Sequence, residues 1–197
     1  MSRCPWGIDV NYEIDMTSST LIQACGHSKS VLRAIPFVEL MDLLEFSRLR
    51  LEAPLHPVAH DLIQASVIGT QDWIYAGQDD IPAVATGDTA DIYICSTTDA
   101  LLQAVLPGDE TLVRVDPVVR YRHDIDTDRS LTALRGITLS LATLSDGAPD
   151  PGPQHYVRVD LNALISRVIV APGVDADLFE LVNRVVRSRI WVDVSRH

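Results

Sequence analysis

Arginine is the residue type in this chain that is best suited to binding an anion. Its densest basic region comprises Arg114, Arg120, Arg122 and His123. Arg120 and Arg122 are two residues apart, so on a strand they share one face, and two guanidinium groups on one face can clamp a phosphate or a carboxylate. The alternative, which we favour, is that these arginines pair with acids nearby in the sequence. Those acids are Asp116, Asp124, Asp126 and Asp128.

Two histidines, His56 and His60, have the i, i+4 spacing of metal ligands on a helix, and Asp61 follows them. The general-base glutamate of a zinc protease is missing from the pair, Pro57 lies between the histidines, and no third ligand is evident. We therefore predict no metal site, and we interpret the two histidines as surface residues.

The segment Gly26-His-Ser-Lys-Ser30 is similar in composition to the end of a phosphate-binding loop. It lacks the preceding glycine of such a loop and does not follow a predicted strand, so it cannot cradle phosphates in the usual way. A helix end followed by a polar turn is predicted instead. The chain also contains no Gly-x-Ser-x-Gly nucleophile elbow and no dinucleotide-binding glycine fingerprint.

The composition is that of a globular protein with one domain over residues 1–197, of which 47% are hydrophobic and 22% charged. No apolar run approaches the ~20 residues that a membrane span needs. The N-terminus lacks the apolar core of a signal peptide, so a cytoplasmic location is expected. The three cysteines, Cys4, Cys25 and Cys95, are widely spaced and are predicted to be buried or free thiols.

The net charge of −11 sets an expectation about partners. A field of this sign repels polyphosphates and weakens non-specific binding to nucleic acid. We therefore expect no nucleic-acid partner and no membrane partner. Another protein, of basic character, is the partner that the charge favours.

Alternation, proline placement and capping residues predict strands mixed with short helices. The predicted strands are 8–14, 30–35, 48–52, 83–85, 91–95, 112–115, 118–122 and 134–144, and the predicted helices are 18–25, 37–44, 57–68 and 100–106. The last forty residues are predicted to form a strand (155–160), a turn (161–165), a strand (166–172) and an amphipathic helix that begins near Asp175. A loop-rich segment is expected at 69–90 and an exposed loop at 145–153.

This order lacks the regular strand–helix rhythm of a doubly wound sheet. The predicted fold class is therefore α+β, with mixed, mainly antiparallel sheets and short flanking helices.

Several segments resemble a large bacterial family of domains of unknown function. The similar segments are 30–51, Trp73-Ile-Tyr75, 92–101, Val118-Val-Arg-Tyr121 and 157–172. In the first of them, an arginine-containing strand leads to a helix of the form Phe-x-x-Leu-x-x-Leu-Leu. The last segment is the closest match, and together the similarities span about Ser30 to Ile190.

The layout of that family also resembles the ADP-ribosyltransferase fold. In such transferases a first strand offers Arg, a middle strand offers Ser-Thr-Ser, and a late strand offers Glu-x-Glu before an Arg. Arg33 and Ser96-Thr97 occupy the first two positions here. At the third position Arg135 remains, but Leu131 and Ala133 replace the glutamates.

The absence of the two glutamates affects the expected activity. The resemblance implies that a glutamate binds the nicotinamide ribose and stabilises an oxocarbenium-like transition state, so its loss removes most of the rate. No catalytic residue is therefore predicted. The candidate ligand-binding residues are Arg33, Ser96, Thr97, Arg120, Arg122 and Arg135. Two of them have structural alternatives, because Arg33 can pair with Glu39 or Glu45 and Ser96 can cap a helix.

Two functions follow as hypotheses. The first is a non-enzymatic, acidic interaction protein without a cofactor, for which the resemblance implies a role in conflict with phages or mobile elements. The alternative is an enzyme that uses NAD or a related nucleotide, with Arg33 and Arg120 on the phosphates and Ser96 orienting the ribose. In that alternative Glu110 or Asp128 replaces the lost glutamate.

Overall fold

The fold is known from a computed structural model, which describes residues 10–13, 22–25, 28–53, 66–76, 92–106, 111–123, 131–143 and 155–196. These residues form an α+β structure with two mainly antiparallel sheets and a few short helices. The predicted fold class is therefore confirmed at that level. Among the described residues no helix is both long enough and apolar enough to cross a membrane.

The strands form one large sheet and one small sheet. The large sheet contains β1 (Val10–Glu13), β2 (Ile22–Cys25), β3 (Ser30–Ile35), β5 (Ser66–Tyr75), β6 (Ile92–Thr97), β8 (Thr111–His123), β9 (Leu131–Thr143), β11 (Arg167–Val170) and β12 (Asp193–Arg196). The small sheet contains β4 (Arg48–Leu51), β7 (Val105–Leu106) and β10 (His155–Val159). The strand orders are β1-β2-β8-β9-β5-β3-β6-β11-β12 and β4-β10-β7. The pairs β2–β8 and β11–β12 are parallel, and the other pairs are antiparallel.

The helices in the described part are α1 (Phe37–Phe46), α2 (Thr98–Ala104), α3 (Leu161–Leu164) and α4 (Ala176–Arg189). Helix α1 follows Pro36, whose fixed φ suits a helix start, and it ends at Ser47, which has a left-handed φ of 49°. Helix α4 begins as predicted, because the Asp175 carboxylate accepts a hydrogen bond from the Asp177 N–H. Both helices bury their apolar side against the sheets.

The main core lies between one face of the large sheet, the helices and the inner face of the small sheet. A chain of hydrogen bonds links the two sheets inside it. The indole N–H of Trp73 donates to Gln71 Oε1 at 2.9 Å, and Gln71 Nε2 donates to the carbonyl oxygen of Arg50 at 2.6 Å. A smaller cluster on the opposite face of the large sheet includes Leu32 and Tyr93.

Two predicted helices are wrong where the structure describes them. Ile22–Cys25 is strand β2, which pairs with β1 and β8, so sheet pairing overrides the local capping signal at Thr17 or Ser18. The helix predicted over 57–68 is contradicted at its end, since β5 already begins at Ser66. Residues 57–65 lie outside the described part of the chain.

The predicted loop-rich segment 69–90 is also wrong up to Tyr75. Strand β5 runs through Gly69 and Asp72, which are poor strand formers, because β9 pairs with it over this stretch. Strand β3 pairs only with its end, at Ile74 and Tyr75. The register shifts between Val67 and Gly69, where a bulge accommodates the unfavourable sequence. Residues 77–91, with the strand predicted at 83–85, and the loop predicted at 145–153 lie outside the described residues.

Pro117 does not divide its segment into two strands, contrary to the prediction. Strand β8 continues through it, opposite Ile137 of β9. Proline lacks an N–H, so it fits a strand only where that side of the backbone needs no donor. On the side away from β9, strand β2 pairs only with Val113 and Arg114, so Pro117 occupies an edge position with respect to the described strands.

The remaining differences are small. Residues 161–164 form the short helix α3 instead of a turn, and α2 ends at Ala104 because Val105 and Leu106 join the small sheet as β7. Strand β12 was not predicted, and it pairs in parallel with β11 after the chain returns through α4.

Candidate functional site

Arg33 is an internal ion-pair partner in this structure. Its Nη1 lies 2.6 Å from Glu39 Oε1, and the two side chains are only 12% and 14% exposed. Glu39 is in the first turn of α1, where a carboxylate also interacts favourably with the positive end of the helix. The structural alternative for Arg33 is thus confirmed with Glu39, while Glu45 pairs instead with Arg189.

Ser96 and Thr97 lie at the end of β6, next to the strand that carries Arg33. Ser96 is 2% exposed, and its hydroxyl is 3.5 Å from the Thr97 carbonyl oxygen, which is a weak contact. Thr97 is the N-cap of α2, because its Oγ1 accepts a hydrogen bond of 3.1 Å from the Ala100 N–H. The suggestion that Ser96 caps the helix is therefore wrong by one residue.

A pair of alanine variants separates these roles. Thr97→Ala is expected to lower the free energy of unfolding by about 1 kcal/mol, since the Ala100 N–H loses its acceptor. Ser96→Ala is the matched control and is expected to change it by less than about 0.5 kcal/mol, because the hydroxyl makes only the weak contact. Urea denaturation followed by circular dichroism measures both values. A larger loss for Ser96→Ala would assign Ser96 a role that the contacts do not explain.

Arg135 is the predicted basic residue of β9, and its strand is not adjacent to β6, which carries Ser96. Arg135 is exposed on β9, opposite Val119, and β9 is three strand positions from β6. At an interstrand spacing of about 4.8 Å, this places the two strands about 14 Å apart. At the level of the backbone, two strands, β5 and β3, therefore lie between Arg135 and Ser96.

Arg120 and Arg122 are opposite Leu134 and Thr132 in the β8–β9 register. Their side chains lie outside the described part of the structure, as do Asp124, Asp126 and Asp128. Arg114 is described, and its guanidinium lies 2.7 Å from the Asp116 carboxylate. The predicted pairing is confirmed for Arg114.

Cys95 has the character of a buried structural thiol. Burial raises its pKa, and a hydrogen bond from Arg167 opposes this shift without cancelling it. A thiol with a raised pKa stays protonated near neutral pH and is a poor nucleophile. The described residues include no group of three or more His, Cys, Asp or Glu that could hold a metal ion. His56 and His60 lie outside that part of the chain.

Charged and aromatic side chains are exposed together on the outer face of the small sheet. The register pairs Arg48 with Arg158 and Arg50 with Tyr156 across β4 and β10, and Leu106 of β7 is opposite Arg158. We call this surface the Arg–aromatic face. It consists of Phe46, Arg48, Arg50, Leu106, Tyr156 and Arg158. The alternate residues, such as Leu49 and Val157, point into the main core.

Arg48 organises the Arg–aromatic face. Its Nε and Nη2 donate to both oxygens of Asp42, at 3.1 and 2.6 Å, in a bidentate pair. The guanidinium also lies over the rings of Phe46 and Tyr156, at 4.5 and 4.2 Å from their centroids. The hydrogen bond with Asp42 raises the pKa of Arg48, a group that is charged at neutral pH in any case. Cation–π contact on both rings therefore fixes the aromatic part of the face.

Arg50 and Arg158 are exposed, and neither has an ion pair with a residue that the structure describes. Arg158 is directly opposite Arg48, and like charges in that relation destabilise a sheet. Of the acids that follow on the two strands, Asp160 is already engaged as the N-cap of α3, and Glu52 is exposed. The face thus has two guanidinium groups whose hydrogen-bonding capacity is directed to solvent.

The sequence contained part of the signal for this surface. Arg48-Leu-Arg-Leu51 and Tyr156-Val-Arg-Val159 both alternate, and both were predicted as strands. Their pairing joins residues more than a hundred positions apart, which periodicity does not reveal. The sequence therefore located the arginines and left their common face unidentified.

Comparison with known proteins adds no relative: no protein-family model, curated protein or solved structure matches the chain.

Proposed function

We propose that this chain is a non-enzymatic interaction protein that binds another protein through exposed surface. The observation that carries the proposal is that exposed arginines without a described ion pair lie together with aromatic side chains on one surface. Arg50 and Arg158 are exposed on the Arg–aromatic face, whereas Arg33 is paired with Glu39 inside the fold. A catalytic pocket would instead require such groups to converge on a substrate.

A second surface feature supports the same proposal. Trp191, between α4 and β12, is 97% exposed. Tryptophan and arginine are the residue types most often found as energetic anchors in protein interfaces. Large apolar and cationic side chains on the surface are therefore consistent with a protein that functions by binding another protein.

The setting of this function follows from the resemblance and the composition. We propose a degenerate ADP-ribosyltransferase-like fold that acts in the cytoplasm, without a cofactor, in conflict with phages or mobile elements. Leu131 and Ala133 occupy the positions where the resemblance places the catalytic glutamates. They support the loss of the transferase reaction, because neither can stabilise a positively charged sugar.

Calorimetry with NAD, together with a nicotinamide-release assay, tests the proposal against the enzymatic alternative. We expect no binding heat and no release of nicotinamide, since Arg33 is committed to Glu39 and Ser96 is buried. Release of nicotinamide by the unmodified protein would overturn the proposal and restore the enzyme. An active ADP-ribosyltransferase-type protein assayed in parallel verifies that the assay detects turnover.

A further inference from the structure

The six residues of the Arg–aromatic face include three arginines and no acid, and the exposed acids Glu52 and Asp160 follow Arg50 and Arg158 by two residues. The chain has a net charge of −11, yet three of its arginines lie on one face of a three-stranded sheet. Among the described residues, Asp42 is the acid that pairs with one of them, Arg48. A concentrated patch of the minority sign selects partners of complementary charge. The complement of this patch is an acidic ligand.

The spacing of Arg50 and Arg158, and the apolar side chains beside them, indicate which chemical groups the ligand carries. Arg50 and Arg158 are diagonal neighbours across β4 and β10, with Cβ atoms about 7 Å apart. Each guanidinium can take a carboxylate in a bidentate arrangement. Beside them, Phe46 and Leu106 are 59% and 52% exposed. A chain that carries both carboxylates and apolar side chains satisfies both kinds of group.

We infer that the Arg–aromatic face binds an acidic peptide segment of a partner protein. Carboxylates of the segment contact Arg50 and Arg158, and its apolar side chains pack on Phe46 and Leu106. Arg48 is held by Asp42 and positions the two aromatic rings. This inference rests on the proposed function, since it names the partner chemistry of the same surface. It differs from the basic partner that the whole-chain charge predicts, because local charge governs close contacts.

A single-stranded nucleic acid fits the face less well. Bases stack on open aromatic surfaces, but the guanidinium of Arg48 already covers one side of both Phe46 and Tyr156. A polyphosphate also carries one charge per nucleotide into the field of a molecule with net charge −11. A peptide can place a few carboxylates on the arginines and keep the rest of its length neutral.

Fluorescence anisotropy with a labelled synthetic peptide that carries two Glu residues in an otherwise neutral, Leu-containing segment tests the inference on the full chain. We expect saturable binding, weakened at least about tenfold in R50Q/R158Q because two bidentate contacts are lost. The matched control is R184Q/R187Q, which removes the same two charges from exposed positions of α4. Binding by this control should stay within about twofold of the unmodified protein, since only the long-range field changes.

A lysine variant tests whether the planar guanidinium group is needed, in addition to its charge. R50K/R158K keeps both charges, and it should lose affinity several-fold because lysine cannot form the planar fork. Absence of peptide binding, or an equal loss in R184Q/R187Q and R50Q/R158Q, would overturn the inference. Stronger binding of a single-stranded thymidine oligonucleotide than of the peptide would also overturn it. None of these results depends on nicotinamide release, so a failure here is distinguishable from a failure of the proposed function.

Discussion

Replacing Gly136 by alanine is expected to destabilise the protein by more than about 3 kcal/mol. Gly136 is on the central strand β9, between Val118 of β8 and Ile74 of β5. A Cβ atom at this position would lie 2.0 Å from the carbonyl oxygen of Trp73 and 3.0 Å from its carbonyl carbon. The obstacle is backbone, so a change of rotamer cannot remove it. Either β5 or β9 must shift.

Such a shift lowers the stability of the fold because β5 carries Trp73 and Gln71 at this point. The Trp73 side chain is 1% exposed, and its N–H is bonded to Gln71, which in turn holds the backbone of Arg50. Moving the strand disturbs the largest buried side chain of the described residues and one link between the two sheets; the backbone pair of Glu52 with Thr70 is another. A stability of 5–15 kcal/mol is typical of a domain, so a loss of about 3 kcal/mol is a substantial fraction.

Gly173→Ala is the matched control for this prediction. Its Cβ would meet nothing within 4 Å, so the change in stability should be within about 0.5 kcal/mol, on the stabilising side if the unfolded chain becomes less flexible. Urea denaturation monitored by tryptophan fluorescence and by far-ultraviolet circular dichroism measures both variants. Similar unfolding midpoints for the two alanine variants would contradict the close packing of β9 on β5.

Where a segment could be predicted from the sequence, a local pattern determined its structure. Helix α1 combines Pro36 before its start with buried Leu40, Leu43 and Leu44. Strand β6 is apolar from Ile92 to Cys95, and β9 alternates at Ile137, Leu139 and Leu141. Asp175 begins α4 for a local reason, namely hydrogen bonding to the free N–H groups of the first turn. These elements needed no information from distant parts of the chain.

The segments that were predicted wrongly are those in which pairing with distant residues decides the structure. Ile22–Cys25 has the flanking residues of a short helix, yet β1 and β8 make it a strand. Strand β5 contains Gly69 and Asp72, but it lies between β3 and β9, and the bulge after Val67 accommodates the sequence. Pairing of this kind contributes more than intrinsic preference, which spans only about 1 kcal/mol per residue.

The same distinction between local patterns and pairing of distant residues applies to the candidate site. Pairing of Arg33 with Glu39 could be foreseen because the two residues are close in sequence. The Arg–aromatic face could not, since it is assembled from β4, β7 and β10, which come from three separate parts of the chain. Residue type indicated that arginine would carry the chemistry, and only the sheet register showed which arginines share a surface.

Arg33→Met is the prediction that bears most directly on the loss of an enzymatic site. The substitution keeps an unbranched apolar stem, shorter than arginine by the guanidinium group, and removes the charge that neutralises Glu39. Leaving one partner of a mostly buried ion pair without its counter-charge costs about 3 kcal/mol. Thermal or urea denaturation of the Arg33→Met variant should therefore show a marked decrease in the free energy of unfolding.

A double-mutant cycle isolates the interaction from other effects of the substitution. Glu39→Met should be destabilising in its own right, and R33M/E39M should be less destabilised than the sum of the two single variants, because no charge is then left unpaired. The expected coupling is on the order of 1–3 kcal/mol. The exposed pair of Arg189 with Glu45 is the control, and Arg189→Gln should cost less than about 1 kcal/mol.

The cycle separates a structural arginine from a ligand-binding one. A ligand-binding arginine is held in place for an absent anion, so its removal relieves repulsion or desolvation and leaves stability unchanged or higher. A structural arginine is already satisfied, and its removal exposes the cost of the carboxylate that it neutralised. Stability equal to that of the unmodified protein in Arg33→Met, with no coupling to Glu39, would therefore return Arg33 to the list of candidate nucleotide contacts. The short distance to Glu39 and the low exposure of both side chains favour the structural role.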